Sequence, residues 1–536
     1  MSSSEKLNGK RVGLKVVGLV LTLGLLYLFR PLFHGIIYTM LFSPGGFYVM
    51  GLTVLSSFIL FLYPPLSEDT AESVAKKSYI LGSIFIIGIV LALTLGTLGS
   101  MFENDKLASE TTQESTEVSE LPEANAQNPR IIPRAVADVQ TRGSVSYRQH
   151  KLGTSDIART PSGKLAWSYS IKPDQLQNQL RGNQRGILLS DMTRVENRSI
   201  DAYDEQEFKY GQSMFLQRSA GWNLKKTDYW AQYIDEPSEF VHNGTSYMAY
   251  PKTGHKWNLL PVPHTTPTWE GVALVHPDGN IEHMSPEEAR KSEILEGQRL
   301  YPLYNSRVKA ESLRYRNGIV NQLPLIGTFE GVVIPAEMPR DAGNEQPFVI
   351  DLEEEKMTYI YTMEPAGADT RGLDEVWFFN SRTGEPQFYG TGGDTLLGPE
   401  RAMGLIRSED SQTNWGSNFK VVEPIPTVIK GDLWWHAKVV PTDNTDISRN
   451  AFVNARTGDV VELDDTESVV QFMSGKDIEE VDDGNVTTEP SNAEDVEYYI
   501  VIRDESGNVV DRIPVLQAQK FDIETSNTAD SNNTTG

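Results

Sequence analysis

The chain has 536 residues, carries 48 Lys and Arg against 73 Asp and Glu for a formal net charge of −25, and contains no cysteine. A surface this acidic repels phosphate backbones and argues against a nucleic-acid partner. The lack of cysteine excludes disulfides, thiolate nucleophiles and cysteine metal sites, so the fold must rest on its own core, which this length permits.

Residues 1–11 are polar, with Lys6, Lys10 and Arg11. Val12 to Phe29 is apolar apart from Lys15, which can snorkel to an interface. It reads as an uncleaved anchor rather than a signal peptide, because no small-x-small site precedes Arg30 and further apolar segments follow. The next apolar stretch, Pro31 to Pro65, is broken at Ser43-Pro44-Gly45-Gly46 and is too short for two crossings and a turn. One span over 47–63 is expected there, preceded by a short interfacial or re-entrant piece containing His34. Tyr79 to Met101 then runs for 23 residues without charge or proline. A bilayer core needs about 20 helical residues, so this is the strongest crossing.

The expectation is a multi-pass cell-membrane protein, in contact with the lipid bilayer through residues 12–29, 47–63 and 79–101. Basic residues before the first and third spans, including Lys76 and Lys77, put those ends in the cytoplasm and the large C-terminal part outside. Sequons at Asn197, Asn243, Asn485, Asn532 and Asn533 are glycosylation candidates that agree with this. The acidic balance suits a halophile or an ordinary acidic external face.

Residues 102–129 are rich in Glu, Asp, Ser and Thr and read as an acidic, extended tether. From about Arg130, short alternating apolar runs are separated by Gly, Pro and Asn turns, the pattern of antiparallel hairpins. Asn243-Gly244 predicts a tight hairpin, and Pro277-Asp278-Gly279 a three-residue loop with Gly left-handed. Ser285-Pro286-Glu287-Glu288 predicts a capping box opening a short helix. Gly398-Pro399 predicts another helix start.

Phe378-Phe-Asn-Ser-Arg-Thr-Gly-Glu385 recurs as Phe452-Val-Asn-Ala-Arg-Thr-Gly-Asp459, 74 residues later, with five of eight positions identical. Each copy ends one strand at an Arg-Thr-Gly turn and leads into another, as expected for a repeated unit of one helix on a small antiparallel sheet. The pattern resembles the end of a PepSY-type domain, over about 305–475 in two copies. That resemblance implies binding or inhibition of a peptidase, or an envelope scaffold, and no catalysis. Val275 to Asn280 and Ile502 to Asn508 look like degenerate echoes of the same turn. The turn residues Asn380, Arg382, Thr383, Gly384, Asn454, Arg456, Thr457 and Gly458 are the candidate contact points for a partner.

The domains expected are a tail and anchor over 1–101, the linker 102–129, a β-rich α+β domain 130–304, PepSY-like repeats 305–395 and 396–475, a second acidic linker 476–496, a C-terminal hairpin 497–524 and a disordered tail 525–536. The fold class is α+β: three N-terminal transmembrane helices and an extracellular body of antiparallel β-hairpins with short helices.

No nucleophile elbow, phosphate loop, dinucleotide glycine motif or HExxH is present. Five of eight histidines lie between 242 and 283, and His276 and His283 are candidates to face each other across a hairpin and hold a metal. Scattered structural histidines are the simpler expectation, and no cofactor is assigned. The function expected is non-enzymatic: a membrane-anchored cell-surface protein binding a protein or peptide partner, with peptidase regulation as one form. The alternatives are a structural subunit of a surface layer or viral envelope, and a metal-dependent hydrolase.

Overall fold

The computed structural model describes residues 17–18, 20–62, 71–196, 198–323, 325–353, 356–367, 372–409, 413–476, 496–503 and 509–516. The chain divides into two units, Met1–Gly475 and Lys476–Gly536. The mixed α and antiparallel-β class expected from the sequence is present.

The membrane section differs from the expectation of three crossings. Helices α1 (Arg30–Phe42), α2 (Pro44–Leu62) and α3 (Ala71–Glu114) follow one another. Among the described residues one helix is long and apolar enough to cross a membrane, Ile86–Glu114 within α3. Val20–Leu28 qualifies only jointly with α1, across an 84° bend. The bend falls at Phe29-Arg30-Pro31, where proline removes a helical donor. Three crossings are therefore not supported: among the described residues one helix qualifies, or two if the bent pair is a single span.

The tether expected over 102–129 is also overturned. Helix α3 runs on to Glu114, and Leu107, Ala108 and Thr111 are fully or almost fully buried. Their i, i+1, i+4 spacing makes one face that packs on the body; Lys106 pairs with Glu110 at 3.1 Å along the helix, and Glu114 accepts from Lys309 of the body at 2.8 Å. Thr116–Glu117 then adds a parallel edge strand to a sheet, and Leu121 and Ala124 join the core.

Among the described residues the body shows four modules, each a helix followed by a sheet containing four successive antiparallel strands; the first sheet also carries His150–Leu152 and the third Val333–Pro335. Module A has α4 (Arg134–Ser144) and strands β1 (Asp156–Arg159), β2 (Leu165–Pro173), β3 (Gly186–Asp191) and β4 (Ile200–Tyr203). Module B has α5 (Ala220–Thr227) and β5 (Ser238–His242), β6 (Thr245–Asn258), β7 (His264–Val275) and β8 (Ile281–Met284). Module C has α6 (Leu303–Ser312) and β9 (Phe348–Leu352), β10 (Lys356–Pro365), β11 (Glu375–Asn380) and β12 (Pro386–Gly390). Module D has α7 (Pro399–Glu409) and β13 (Phe419–Ile429), β14 (Asp432–Pro441), β15 (Arg449–Asn454) and β16 (Val460–Leu463). The repeat read from the sequence covered C and D; A and B extend it.

The modules pair. Ile187 and Leu189 of A pack with Val241, Met248 and Val275 of B and Leu224 of α5. Phe348, Ile360 and Phe378 of C pack with Trp435, Val439 and Val453 of D and Met403 and Ile406 of α7. Strand alternation produces this: Ile360 and Phe378 face the shared core, and their neighbours Tyr359, Tyr361 and Phe379 face the other side. There the Tyr361 hydroxyl lies 2.9 Å from Ser306 Oγ of α6, and the Tyr359 hydroxyl donates to the Tyr301 carbonyl at 2.8 Å.

The predicted local signals are in place. Asn243 (φ 49°) and Gly244 (φ 75°) form the two-residue turn between β5 and β6. Gly279 takes φ 90° in the loop before β8, and Ser285 and Glu288 form both bonds of a capping box. In the second unit, Val496–Arg503 pairs antiparallel with Val509–Leu516. Residues 504–508 between these strands, 517–524 of the expected hairpin, most of the linker 476–496 and the tail 525–536 lie outside the described residues.

Candidate functional site: an arginine-lined cleft

Where modules A, C and D meet, a cleft of about 700 Å³ opens. Five arginines line it, Arg130, Arg134, Arg299, Arg307 and Arg340, against three acids, Asp156, Glu345 and Glu423. Five less three leaves an excess of two positive charges, in a chain whose net charge is −25.

Each wall has a local cause. Glu423 sits in a bulge of β13, between Val422 and Ile425, with φ 46°, so its side chain turns from the sheet toward the start of module A. Its carboxylate accepts from Arg130 Nη2 at 3.0 Å and from the Arg134 backbone N–H at 2.6 Å, near the start of α4. Arg130 also donates to the Val349 carbonyl at 3.2 Å and lies over the Trp167 ring. Arg134 Nε donates to Ser155 Oγ at 2.9 Å. Arg299 is buried, pairs with Asp156, and donates to the Ile157 carbonyl at 3.2 Å; against the opposing effect of burial, the Asp156 carboxylate holds its guanidinium above the usual arginine range.

Two arginines are left over. Arg307 on α6 and Arg340 on the loop before β9 make no hydrogen bond or ion pair to a described residue. The Nε atoms of Arg130 and Arg307 and the Oδ1 of Asn344 are buried with no hydrogen-bond partner. A guanidinium has donors in a fixed fork suited to a carboxylate or phosphate. Unsatisfied buried polar atoms cost about 1–3 kcal/mol each, which a ligand group can recover. Below the cleft, burial pushes Lys438 of β14 down to about 7, opposed by Glu423.

The residues singled out in the sequence lie elsewhere. Asn380 and Asn454 make the same turn twice: each side-chain oxygen accepts from the backbone N–H two and three residues on, at 2.8 and 3.1 Å in one turn and 2.8 and 3.0 Å in the other. Gly384 (φ 75°) and Gly458 (φ 82°) close the two turns, and Thr383 and Thr457 accept from the next N–H but one at 3.3 Å. The arginines bind within the body. Arg382 donates to the carbonyls of Leu295, Gln298 and Arg290, and Arg456 pairs with Asp394.

His276 and His283 do not face each other. His283 pairs in register with Ala273 and meets Thr227 Oγ1 at 2.9 Å, while His276 stands 3.6 Å from Glu282 and edge-on to Tyr247. Strand alternation separates them. His255 bonds the Tyr38 hydroxyl at 2.9 Å, and burial pushes it down to about 4. Among the described residues no three His, Asp or Glu side chains converge as a metal set would. Asn243 is exposed at its hairpin tip; Asn197, Asn485, Asn532 and Asn533 lie outside the described residues.

Sequence reasoning missed the cleft because its residues come from separated segments between 130 and 423 with no common spacing. The one available signal was the run of arginines near module boundaries in an otherwise acidic chain. No protein-family model, curated protein or solved structure matches this chain.

Proposed function

We propose that this is a non-enzymatic, membrane-anchored binding protein whose cleft takes an acidic peptide segment of a partner protein. The observation that carries the reading is the pair of uncommitted guanidiniums, Arg307 and Arg340, beside the unsatisfied Asn344 Oδ1. A strand-like segment with carboxylates suits both the fork donors and the amide. With α3 as the crossing, Lys76 and Lys77 precede it and the acidic body follows, so the positive-inside rule favours a body outside the cell. The exposed sequon at Asn243 supports the same side. The helix-plus-meander modules support the likeness to PepSY-type domains, which makes a peptidase the first partner class to try.

The test is fluorescence anisotropy of labelled peptides on the detergent-solubilised full chain. A peptide rich in Asp and Glu is expected to bind, its Asn/Gln counterpart to bind at least about tenfold more weakly, and the difference to shrink as salt rises. Equal binding of both peptides, or none of either, contradicts the reading.

A further inference from the structure

Module B carries an apolar surface that the crossing helix places at the level of the bilayer. The loop between β6 and β7 reads Leu259-Leu260-Pro261-Val262-Pro263. Leu260 is 83% exposed and Leu259 70%. The loop is fixed against the membrane helices: the Tyr48 hydroxyl of α2 donates to the Pro263 carbonyl at 2.8 Å. The same carbonyl lies 3.6 Å from where a Cβ on Gly99 would stand. Gly99 precedes Glu103, the first charge after the apolar stretch of α3, by about one helical turn. The two leucines therefore project near the level at which α3 is still in hydrocarbon.

Helix α1 extends this surface. Its polar face is clamped to module B. His34 Nε2 lies 3.1 Å from the Ala231 carbonyl, the Tyr38 hydroxyl donates to the Thr253 carbonyl at 3.2 Å, and Arg30 donates to the Lys226 carbonyl at 2.6 Å. The opposite face, Leu32, Phe33, Ile36, Ile37 and Met40, is exposed at helical spacing. Trp257 stands beside Phe42 and Phe47 at the junction, and Trp230 is 60% exposed next to the same clamp. Indole side chains favour the membrane–water boundary. An apolar patch of this extent on a water-exposed surface is unfavourable, and its continuity with the crossing helix names its cover.

We propose that module B is seated in the bilayer itself: Leu259 and Leu260 insert into the leaflet beside α3, and α1 lies in the interface with its apolar face to lipid. The body is thereby held flat on the membrane rather than hung from a stalk. This rests on α3 crossing a membrane.

The absence of native cysteines makes the test direct. Leu260→Cys, Leu91→Cys within the crossing helix and Ser162→Cys on an exposed turn of module A are each labelled with an environment-sensitive fluorophore. The full chain is reconstituted in phosphatidylcholine–phosphatidylglycerol vesicles. Nitroxide-bearing lipid is expected to quench the label at 260 at least about half as strongly as at 91, with aqueous iodide quenching several-fold below that at 162. A label at 260 that iodide reaches as readily as at 162, while 91 is quenched by lipid, overturns the proposal alone. A label at 91 untouched by lipid nitroxide overturns the crossing, and the proposal with it.

Discussion

Arg159 and Asp351 join module A to module C. Their atoms lie 2.6 Å apart, both side chains are buried, and Asn125 and Asn128 also donate to the carboxylate, at 3.0 and 2.8 Å. Removing one partner of such a pair strands the other charge, at a cost of about 3–5 kcal/mol. Asp351→Asn is therefore expected to lower the apparent melting temperature sharply. Glu287→Gln, which breaks the exposed pair with Lys291, should change stability by less than about 0.5 kcal/mol. Glu239 gives the pH dependence. It accepts from Gln212 at 2.8 Å and Ser168 at 3.2 Å, and burial pushes its carboxyl up to about 8 from an ordinary 4.5. The unfolded chain releases this proton near 4.5 and the folded chain near 8. The favourable burial of the neutral acid is thus full below about pH 4.5 and is lost as pH rises through about 8. Glu239→Gln has no proton to lose, so its stability relative to the parent should grow between pH 5 and pH 8, by an amount on the order of a few kcal/mol. Denaturant midpoints at the two pH values check this; a constant difference contradicts it.

The repeated turn allows a comparison within one molecule. Gly384 and Gly458 share a left-handed backbone, in which a Cβ costs roughly 1 kcal/mol. At Gly458 the added atom meets only the Leu405 and Leu397 methyls at ordinary distance, whereas at Gly384 it runs into the Tyr301 ring. Gly384→Ala should thus lower the melting temperature clearly more than Gly458→Ala. These turns were legible because the geometry needs an Asn side chain and a Gly at fixed offsets. Module A makes a related turn with Asp191, whose Oδ1 accepts from the Thr193 N–H at 2.8 Å, and module B with His276 to Asn280 and Gly279. Without Arg-Thr-Gly the likeness of A and B lies in backbone and topology, which sequence identity does not report. The end of α3 was misread for a different reason. Charge density suggested a tether, but three buried positions on one helical stripe, with Glu114 paired to Lys309, tie the stretch to the body. Leu107→Asp should free this stretch and expose it to protease, where the parent is protected.

At the scale of the whole molecule, the α+β class and antiparallel hairpins were legible, while membrane topology and the site were not. Apolar length alone suggested three crossings. It cannot see the bend at Arg30-Pro31, or that His34 and Tyr38 spend the inner face of α1 on the body. The cleft exists only where module faces converge, so no stretch of sequence displays it. It gathers five arginines in an otherwise acidic chain, two of them without a hydrogen bond or ion pair to a described residue, and the account rests there. The decisive measurement is the affinity of an acidic peptide for the full chain and for the Arg307→Gln/Arg340→Gln double variant, with melting temperatures of both. Loss of two charge-assisted contacts should weaken binding by about tenfold or more while the melting temperature stays within a few degrees, since neither arginine holds the fold together. Unchanged affinity in a folded double variant would contradict the central claim.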